Sequence, residues 1–235
     1  MKYADLVSHY ERLEKTTKRL EKRDILSELY KNSGHDLSIV VLLSMGVIFP
    51  KGQEELGIAE GMVKRAIAAV SGASDSGIVK LFRETGDLGL TAERLLTAKK
   101  QATLGMRELT TNRVFESLRK LPSLIGKGSQ EKRIALIAEL LHAASPTEAR
   151  YLVRTMLSTM RIGVAGGIVR DAIAQTFSVD PEKIEHLYNV LGDYGNVAEQ
   201  ARAGTLHATI TVGRPVRVML AERGNDLESA IKKFE

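Results

Sequence analysis

The sequence predicts an all-α protein: a duplicated multi-helix domain of about a dozen helices with pseudo-twofold symmetry, then a short C-terminal β segment. Three observations carry this. Apolar residues recur at helical spacing from Tyr3 to Ala203, punctuated by capping residues and glycines. Residues 57–70 (GIAEGMVKRAIAAV) align without a gap on 163–176 (GVAGGIVRDAIAQT), with 7 of 14 positions identical. At the same offset, 163 − 57 = 192 − 86 = 106, residues 86–95 (GDLGLTAERL) match 192–201 (GDYGNVAEQA) at 5 of 10 positions. Two blocks at one offset indicate a duplication, with repeats over about 1–105 and 106–204 sharing one helical domain, 1–204. After Gly204 the period becomes two: Leu206, Ala208, Ile210 and Val212 alternate with His207, Thr209 and Thr211, which predicts a strand.

In chain order, Tyr3, Leu6, Val7, Tyr10 and Leu13 define an opening amphipathic helix. Thr16 or Thr17 caps a second helix that turns Leu20, Ile25, Leu26, Leu29 and Tyr30 inward, and Asn32-Ser33-Gly34 ends it. Asp36 or Ser38 starts an apolar helix over 38–46; a turn around Pro50 follows. Helices are expected over 58–70, 76–84 and, capped by Thr91, 92–101. In the second half Thr111 caps 112–121, and Ser129 caps QEKRIALIAELLHAA after a loop with glycines at 126 and 128. Ser145-Pro146-Thr147-Glu148 is a capping box, with proline at a position where its missing N–H costs nothing, and opens helix 147–160. Helices 166–177, 181–191 (after Asp180-Pro181) and 194–203 (capped by Asp193) follow, and a last one starts at Asp226.

Composition narrows the function classes. A net charge of +5 permits an anionic partner without requiring one. There is no cysteine, and the five histidines (His9, His35, His142, His186, His207) are scattered, which argues against a structural zinc site. No apolar run approaches the roughly 18 residues a membrane span needs, and the charged N-terminus is unlike a signal peptide. A cytoplasmic, monomeric protein with no membrane partner is expected.

Two features suit phosphate. Gly163, Ala165, Gly166 and Gly167 lie where one helix ends and another begins, between Arg161 and Arg170; Gly57, Gly61 and Lys64 repeat the arrangement. A helix start offers unpaired N–H groups and the positive end of the macrodipole, and glycine lets an anion approach. The same residues also suit a tight helix–helix corner, and both readings stand. Lys127, Gly128, Ser129, Lys132 and Arg133 form a second glycine loop running into a helix, readable as a phosphate site or as an ordinary helix start with a solvated basic face. The blocks Gly86-Asp87-Leu88-Gly89 and Gly192-Asp193-Tyr194-Gly195 read as a glycine ending one helix and an aspartate capping the next, not as a metal or acid–base pair. No nucleophile constellation stands out.

Several segments together resemble the N-terminal DNA-binding domain of ATP-dependent DNA ligases of the archaeal type. These are GVIFPKGQEELGIAEGMV (46–63), GDLGLTAE (86–93), GSQEKRIALIAELL (128–141), EARYLVRTMLSTMRIGVAGGIVRDAIAQTF (148–177), YNVLGDYGNVAE (188–199) and GRPVRVMLAE (213–222). The resemblance implies an all-helical domain on the minor-groove side of nicked double-stranded DNA, contacting phosphates without reading sequence. The family's RIG turn falls on Arg161, Ile162 and Gly163, and its GSQ-K loop on Gly128, Ser129, Gln130 and Lys132. Gly166 stands where the family often has glutamate.

The resemblance also implies a full-length enzyme that seals nicks in replication, repair and recombination, with ATP and Mg2+ as cofactors. Its nucleotidyltransferase domain carries a KxDG motif that this sequence lacks, so no catalytic residue and no cofactor are expected in the chain itself. Residues 205–235 are then the linker into that domain. Members of the family recruit a sliding clamp, but no clamp-binding peptide is legible here. Other classes remain open: a helical interaction scaffold, or a repair-type duplex binder, since GIAEGMVKRAI also resembles half of a helix-hairpin-helix.

Overall fold

The computed structural model describes residues 1–50, 53–98, 108–210 and 216. Twelve α-helices follow one another among them: α1 (Tyr3–Lys15), α2 (Arg19–Lys31), α3 (Leu37–Ser44), α4 (Glu60–Ser71), α5 (Asp75–Thr85), α6 (Leu88–Thr97), α7 (Thr111–Arg119), α8 (Ser129–Ala143), α9 (Pro146–Met156), α10 (Gly166–Phe177), α11 (Pro181–Leu191) and α12 (Tyr194–Ala203). A single 3-10 turn, Gly34–Asp36, leads into α3. The only β pairing among the described residues is a lone antiparallel bridge between Lys2 and Thr110. Leu206–Ile210 forms no strand: the backbone N–H of His207 turns back to Gln200 instead of a β partner. The rest of the expected β segment and the helix after Asp226 lie outside the described residues.

The helix boundaries carry the same offset as the matched sequence blocks. The ends of α4, α5 and α6 fall 106 residues before those of α10, α11 and α12 (166 − 60, 177 − 71, 181 − 75, 191 − 85, 194 − 88, 203 − 97). Packing partners correspond as well. Helix α4 lies on α8 and α10 on α2; α6 lies on α9 and α12 on α3; α1 touches α9 and α7 touches α3. Each of these pairs takes one helix from each half, so the halves are interlaced and share one core. That core includes Tyr3, Leu6, Tyr10 and Leu13 of α1, Leu37, Val40 and Leu43 of α3, and Tyr151, Leu152 and Val153 of α9, all fully buried.

The matched blocks now have a structural reason. Asp87 caps α6 by accepting from Gly89 and Leu90 N–H (2.7 and 3.2 Å); Asp193 caps α12 through Gly195 and Asn196 (2.8 and 3.1 Å). The glycine two residues later permits a close helix crossing. A Cβ on Gly89 would lie 2.6 Å from the Arg150 carbonyl oxygen, and one on Gly195 2.8 Å from that of Ser38.

Several sequence expectations need correction. Leu20 faces solvent, because it falls on the first turn of α2 away from the core. Lys18 is the N-cap of α2; Thr16, two residues before it, accepts from the Lys18 N–H and donates to Glu21. Thr91 lies inside α6, since Asp87 captures the cap and Thr91 bonds back to the Asp87 carbonyl. Thr110, not Thr111, caps α7; Thr111 is buried and donates to Asp36 and the Met1 carbonyl. Gly128, at φ 78°, is the N-cap of α8, so Ser129 caps nothing. The Ser145 capping box and the Asp180 and Asp193 caps stand as expected.

A buried ionic network joins α1, α6 and α9. The Arg154 guanidinium, fully buried, sits 2.9 Å from Asp87 and 3.1 Å from Glu14. Arg150 holds Glu93 at 3.1 Å and Glu11 at 3.3 Å, and Tyr151 donates to Glu14 at 2.7 Å. Burial alone would push the Asp87 carboxyl up, but Arg154 and the two capping N–H groups hold it below its usual value.

Candidate nucleic-acid interface

The first N–H groups of a helix have no acceptor within it. Side chains supply one at α5, α6, α7, α9, α11 and α12. Helix α1 is tied at its start to the Leu109 carbonyl, and Ser38 N–H of α3 donates to Glu199. Three helix starts carry no side-chain cap and no such substitute among the described residues: α2, α4 and α10, whose N-caps are Lys18, Ala59 and Ala165; a fourth, α8, has Gly128 at its N-cap and no side-chain cap, and its Ser129 N–H donates to the Gly126 carbonyl at 3.1 Å. Alanine is a poor N-cap, costing about 1 kcal/mol against serine or aspartate. Its presence at both α4 and α10 leaves donors open at the positive pole of each helix.

These four ends come together as two cross-half pairs. Between α4 and α8, Arg133 donates to the Gly57 carbonyl at 3.3 Å and to the Leu124 carbonyl at 3.2 Å. Between α10 and α2, Lys22 donates to the Ile162 carbonyl at 2.5 Å, and Arg19 pairs with Asp171 at 2.8 Å. In each pair a cation from the partner helix fastens the turn that precedes the glycine-led helix. Gly57 and Gly163 hold that turn at φ 59° and 64°, a left-handed conformation a side chain resists.

Arg161 lies between the two pairs. A cleft of about 700 Å³ is lined by Gly57, Ala59 and Glu60 on one side and Arg161 on the other; a smaller hollow of about 290 Å³ runs from Arg161 past Gly163 to Ala165. The Arg161 side chain is 56% exposed, donates to the Gly86 carbonyl at 3.2 Å and stands 3.6 Å from Asp87. Arg161 thus lines both the cleft at the α4 start and the hollow beside the α10 start.

The other expected residues take different parts. Lys127 and Lys132 are exposed beside the α8 start. Arg133 is half-buried and occupied with backbone carbonyls, so it positions the turn. Lys64 pairs with Glu60 at 3.2 Å and lies over Phe82; Arg170 is held by Asp171 and Glu185. Gly61, Gly166 and Gly167 are free of tight contacts, so packing does not require a glycine there. Sequence reading misses Lys18, Arg19 and Lys22. A signal exists: Glu21-Lys22-Arg23 recurs as Glu131-Lys132-Arg133 at an offset of 110, four more than the main repeat.

Among its described residues the protein is an all-helical domain whose helix starts at α2, α4, α8 and α10 lack side-chain caps. Comparison with known proteins sharpens this. Residues 2–174 match the family described as DNA ligase N terminus. The chain is 42% identical over 238 residues to a DNA ligase from Methanothermobacter thermautotrophicus, covering 99% of this chain and 43% of that protein. It is 40% identical over 241 residues to one from Archaeoglobus fulgidus (100% and 43%) and 39% over 235 residues to one from Nanoarchaeum equitans (98% and 41%). The chain belongs to the DNA ligase N-terminal domain family. It spans less than half the length of the relatives it matches.

Proposed function

We propose that this chain is the DNA-binding domain of an ATP-dependent DNA ligase and holds nicked duplex from the minor-groove side through backbone phosphates. The observation that carries the reading is the pairing of four helix starts without side-chain caps, α4 with α8 and α10 with α2, with Arg161 lining the hollows beside the α4 and α10 starts. Backbone N–H groups and cations aimed at phosphate give affinity without sequence preference. We infer that the matched boundaries and partners reflect a pseudo-twofold axis, which sets the two pairs against the two similar strands of a duplex. A plain interaction scaffold gives no reason for open helix starts at corresponding places in both halves.

In the parent enzyme ATP and Mg2+ supply the activation chemistry that seals the nick. Among the described residues no group of acidic or histidine side chains could hold a metal ion, so no residue here is assigned to either cofactor. The KxDG lysine is absent from the sequence, and the chain is expected to form no covalent AMP adduct when incubated with labelled ATP and magnesium. Monomeric behaviour and clamp recruitment by the parent are further expectations of the family.

Fluorescence-anisotropy binding to nicked and intact duplexes over a salt series tests the reading. Binding should be independent of sequence, with log K falling against log salt at about 0.9 per phosphate contacted. No binding at low salt would refute it.

A further inference from the structure

We propose that Asp87 is a positioning residue for Arg161: anchored from below by Arg154, its carboxylate holds the exposed Arg161 guanidinium in place, so that Arg161 meets duplex DNA already ordered. This rests on the reading that Arg161 contacts a DNA phosphate, and it names the buried group that prepares that contact.

The two oxygens of Asp87 do different things. Oδ1 caps α6, accepting from the Gly89 and Leu90 N–H groups. Oδ2 lies between two arginines: it accepts from the Arg154 Nε at 3.0 Å and stands 3.6 Å from one terminal nitrogen of Arg161. The other terminal nitrogen of Arg161 donates at 3.2 Å to the carbonyl of Gly86, the residue before Asp87. One guanidinium thus spans a carbonyl and a carboxylate on adjacent residues, a two-point grip that the planar fork of arginine allows and a lysine ammonium does not reproduce. The Arg161 backbone sits at φ 55°, a left-handed conformation that a non-glycine residue keeps only where its surroundings hold it.

The grip is built on buried charge. The Asp87 and Arg154 side chains are 4% and 2% exposed, against 56% for Arg161. Burial alone would raise the Asp87 pKa; Arg154 and the capping N–H groups hold it low, so the carboxylate is ionised at neutral pH. Buried charge is screened little by salt, so it steers the surface arginine under conditions that weaken exposed pairs.

The repeat supplies an internal comparison. Asp193 caps α12 as Asp87 caps α6. Gly89 lies against the Arg150 carbonyl and Gly195 against that of Ser38, so α9 and α3 correspond at an offset of 150 − 38 = 112. The place of Arg154 is then taken by Leu42 (154 − 112), a buried apolar residue. The place of Arg161 is taken by the exposed Glu55 (161 − 106). Asp193 makes no ion pair among the described residues, so the cap itself needs neither arginine. Asp87 has both where the surface residue is a cation; Asp193 has neither where it is an acid. Holding a long side chain in its bound geometry beforehand spares the cost of ordering it on binding.

A double-mutant cycle on the 235-residue chain tests this, read by anisotropy binding to nicked duplex. Asp87→Asn keeps the size and a capping oxygen and removes the charge. It should weaken binding about three- to tenfold while Arg161 is present and cause no weakening in the Arg161→Ala background. The salt slope should keep its wild-type value in Asp87→Asn, because the phosphate contact still forms, and fall by about one unit in Arg161→Ala. Asp193→Asn, which alters a cap with no arginine on it, should leave binding unchanged. By nitrogen-relaxation NMR, the Arg161 Nε–H should be nearly as ordered as the backbone in the free wild type and mobile in Asp87→Asn.

An equal loss from Asp87→Asn in both backgrounds, no loss in either, or a mobile Arg161 Nε–H in the wild type would overturn the proposal. If Asp87→Asn does not fold, the wild-type relaxation and Arg161→Lys decide. Lysine keeps the charge but cannot span both acceptors, so binding should weaken about threefold or more with the slope kept, and wild-type affinity would overturn the proposal. If Arg161→Ala binds duplex as tightly as the wild type, the phosphate reading of Arg161 falls, and with it the proposal. If Arg161→Ala weakens binding while the Asp87→Asn loss is the same in both backgrounds, the phosphate reading stands and the positioning alone is refuted.

Discussion

Replacing Arg154 by leucine removes the cation at the centre of the α1–α6–α9 network. The side chains of Arg154 and Asp87 are 2% and 4% exposed, so the variant strands the Asp87 carboxylate in the interior. Breaking a buried pair by deleting one partner costs about 3–5 kcal/mol. Asp87 keeps two backbone N–H donors and has Arg161 at 3.6 Å, and Glu14 is accessible enough to be rehydrated. These place the expected loss at the low end, about 3 kcal/mol, or a Tm drop of about 6–12 °C for a domain of this size. The cost should depend on pH. In the wild type Asp87 is held below its usual pKa, so its stabilisation is present above the unfolded value of about 3.9 and is lost as pH falls through the folded value. Without Arg154, burial dominates and the Asp87 carboxyl rises, so the folded variant takes up the proton first. The stability gap should therefore narrow as pH falls from about 6 toward 3. Urea unfolding followed by circular dichroism at neutral pH and near pH 4 measures it. A loss under about 1 kcal/mol at neutral pH, or a gap that widens on acidification, would refute the account.

Arg161→Ala should weaken binding to all duplex sequences about equally and reduce the salt slope by about one unit, read from anisotropy titrations; altered sequence preference would contradict a phosphate contact. Gly195→Ala should lower stability by about 1–3 kcal/mol in thermal unfolding, because the new methyl would lie 2.8 Å from the Ser38 carbonyl oxygen. A polypeptide limited to residues 1–98 should show no cooperative unfolding transition, since α2, α3, α4 and α6 would each lose the helix they pack on from the other half.

Helix identity is legible in the sequence wherever a side chain makes the cap. Asp180 and Asp193 mark their helices to the residue, and Ser145 marks the start of its own within one, though α9 ends at Met156 and not at 160. The start of α6 is ambiguous because Asp87 and Thr91 both satisfy the cap pattern, and sequence reading takes the later one. The aligned Asp193 shows how the repeat resolves it: the same block begins the same helix. Leu20 is misplaced for a related reason, since the true start at Arg19 shifts which face of the first turn points inward. The glycine turns are visible as local motifs. What they face is not, because Lys22 reaches Ile162 across 140 residues and Arg19 reaches Asp171 across 152. Such pairings come from how the halves interlock, which no local period encodes.

Interlacing has a consequence for how the two pairs of helix starts can change. In a symmetric homodimer both copies of a site carry the same residues, and a substitution in one appears in the other. Here the equivalent positions are separate codons in one chain: Glu60 and Gly166, Arg133 and Lys22. Each pair, α4 with α8 and α10 with α2, draws one helix from each half, so a single substitution alters one of them while the shared core keeps the geometry of both.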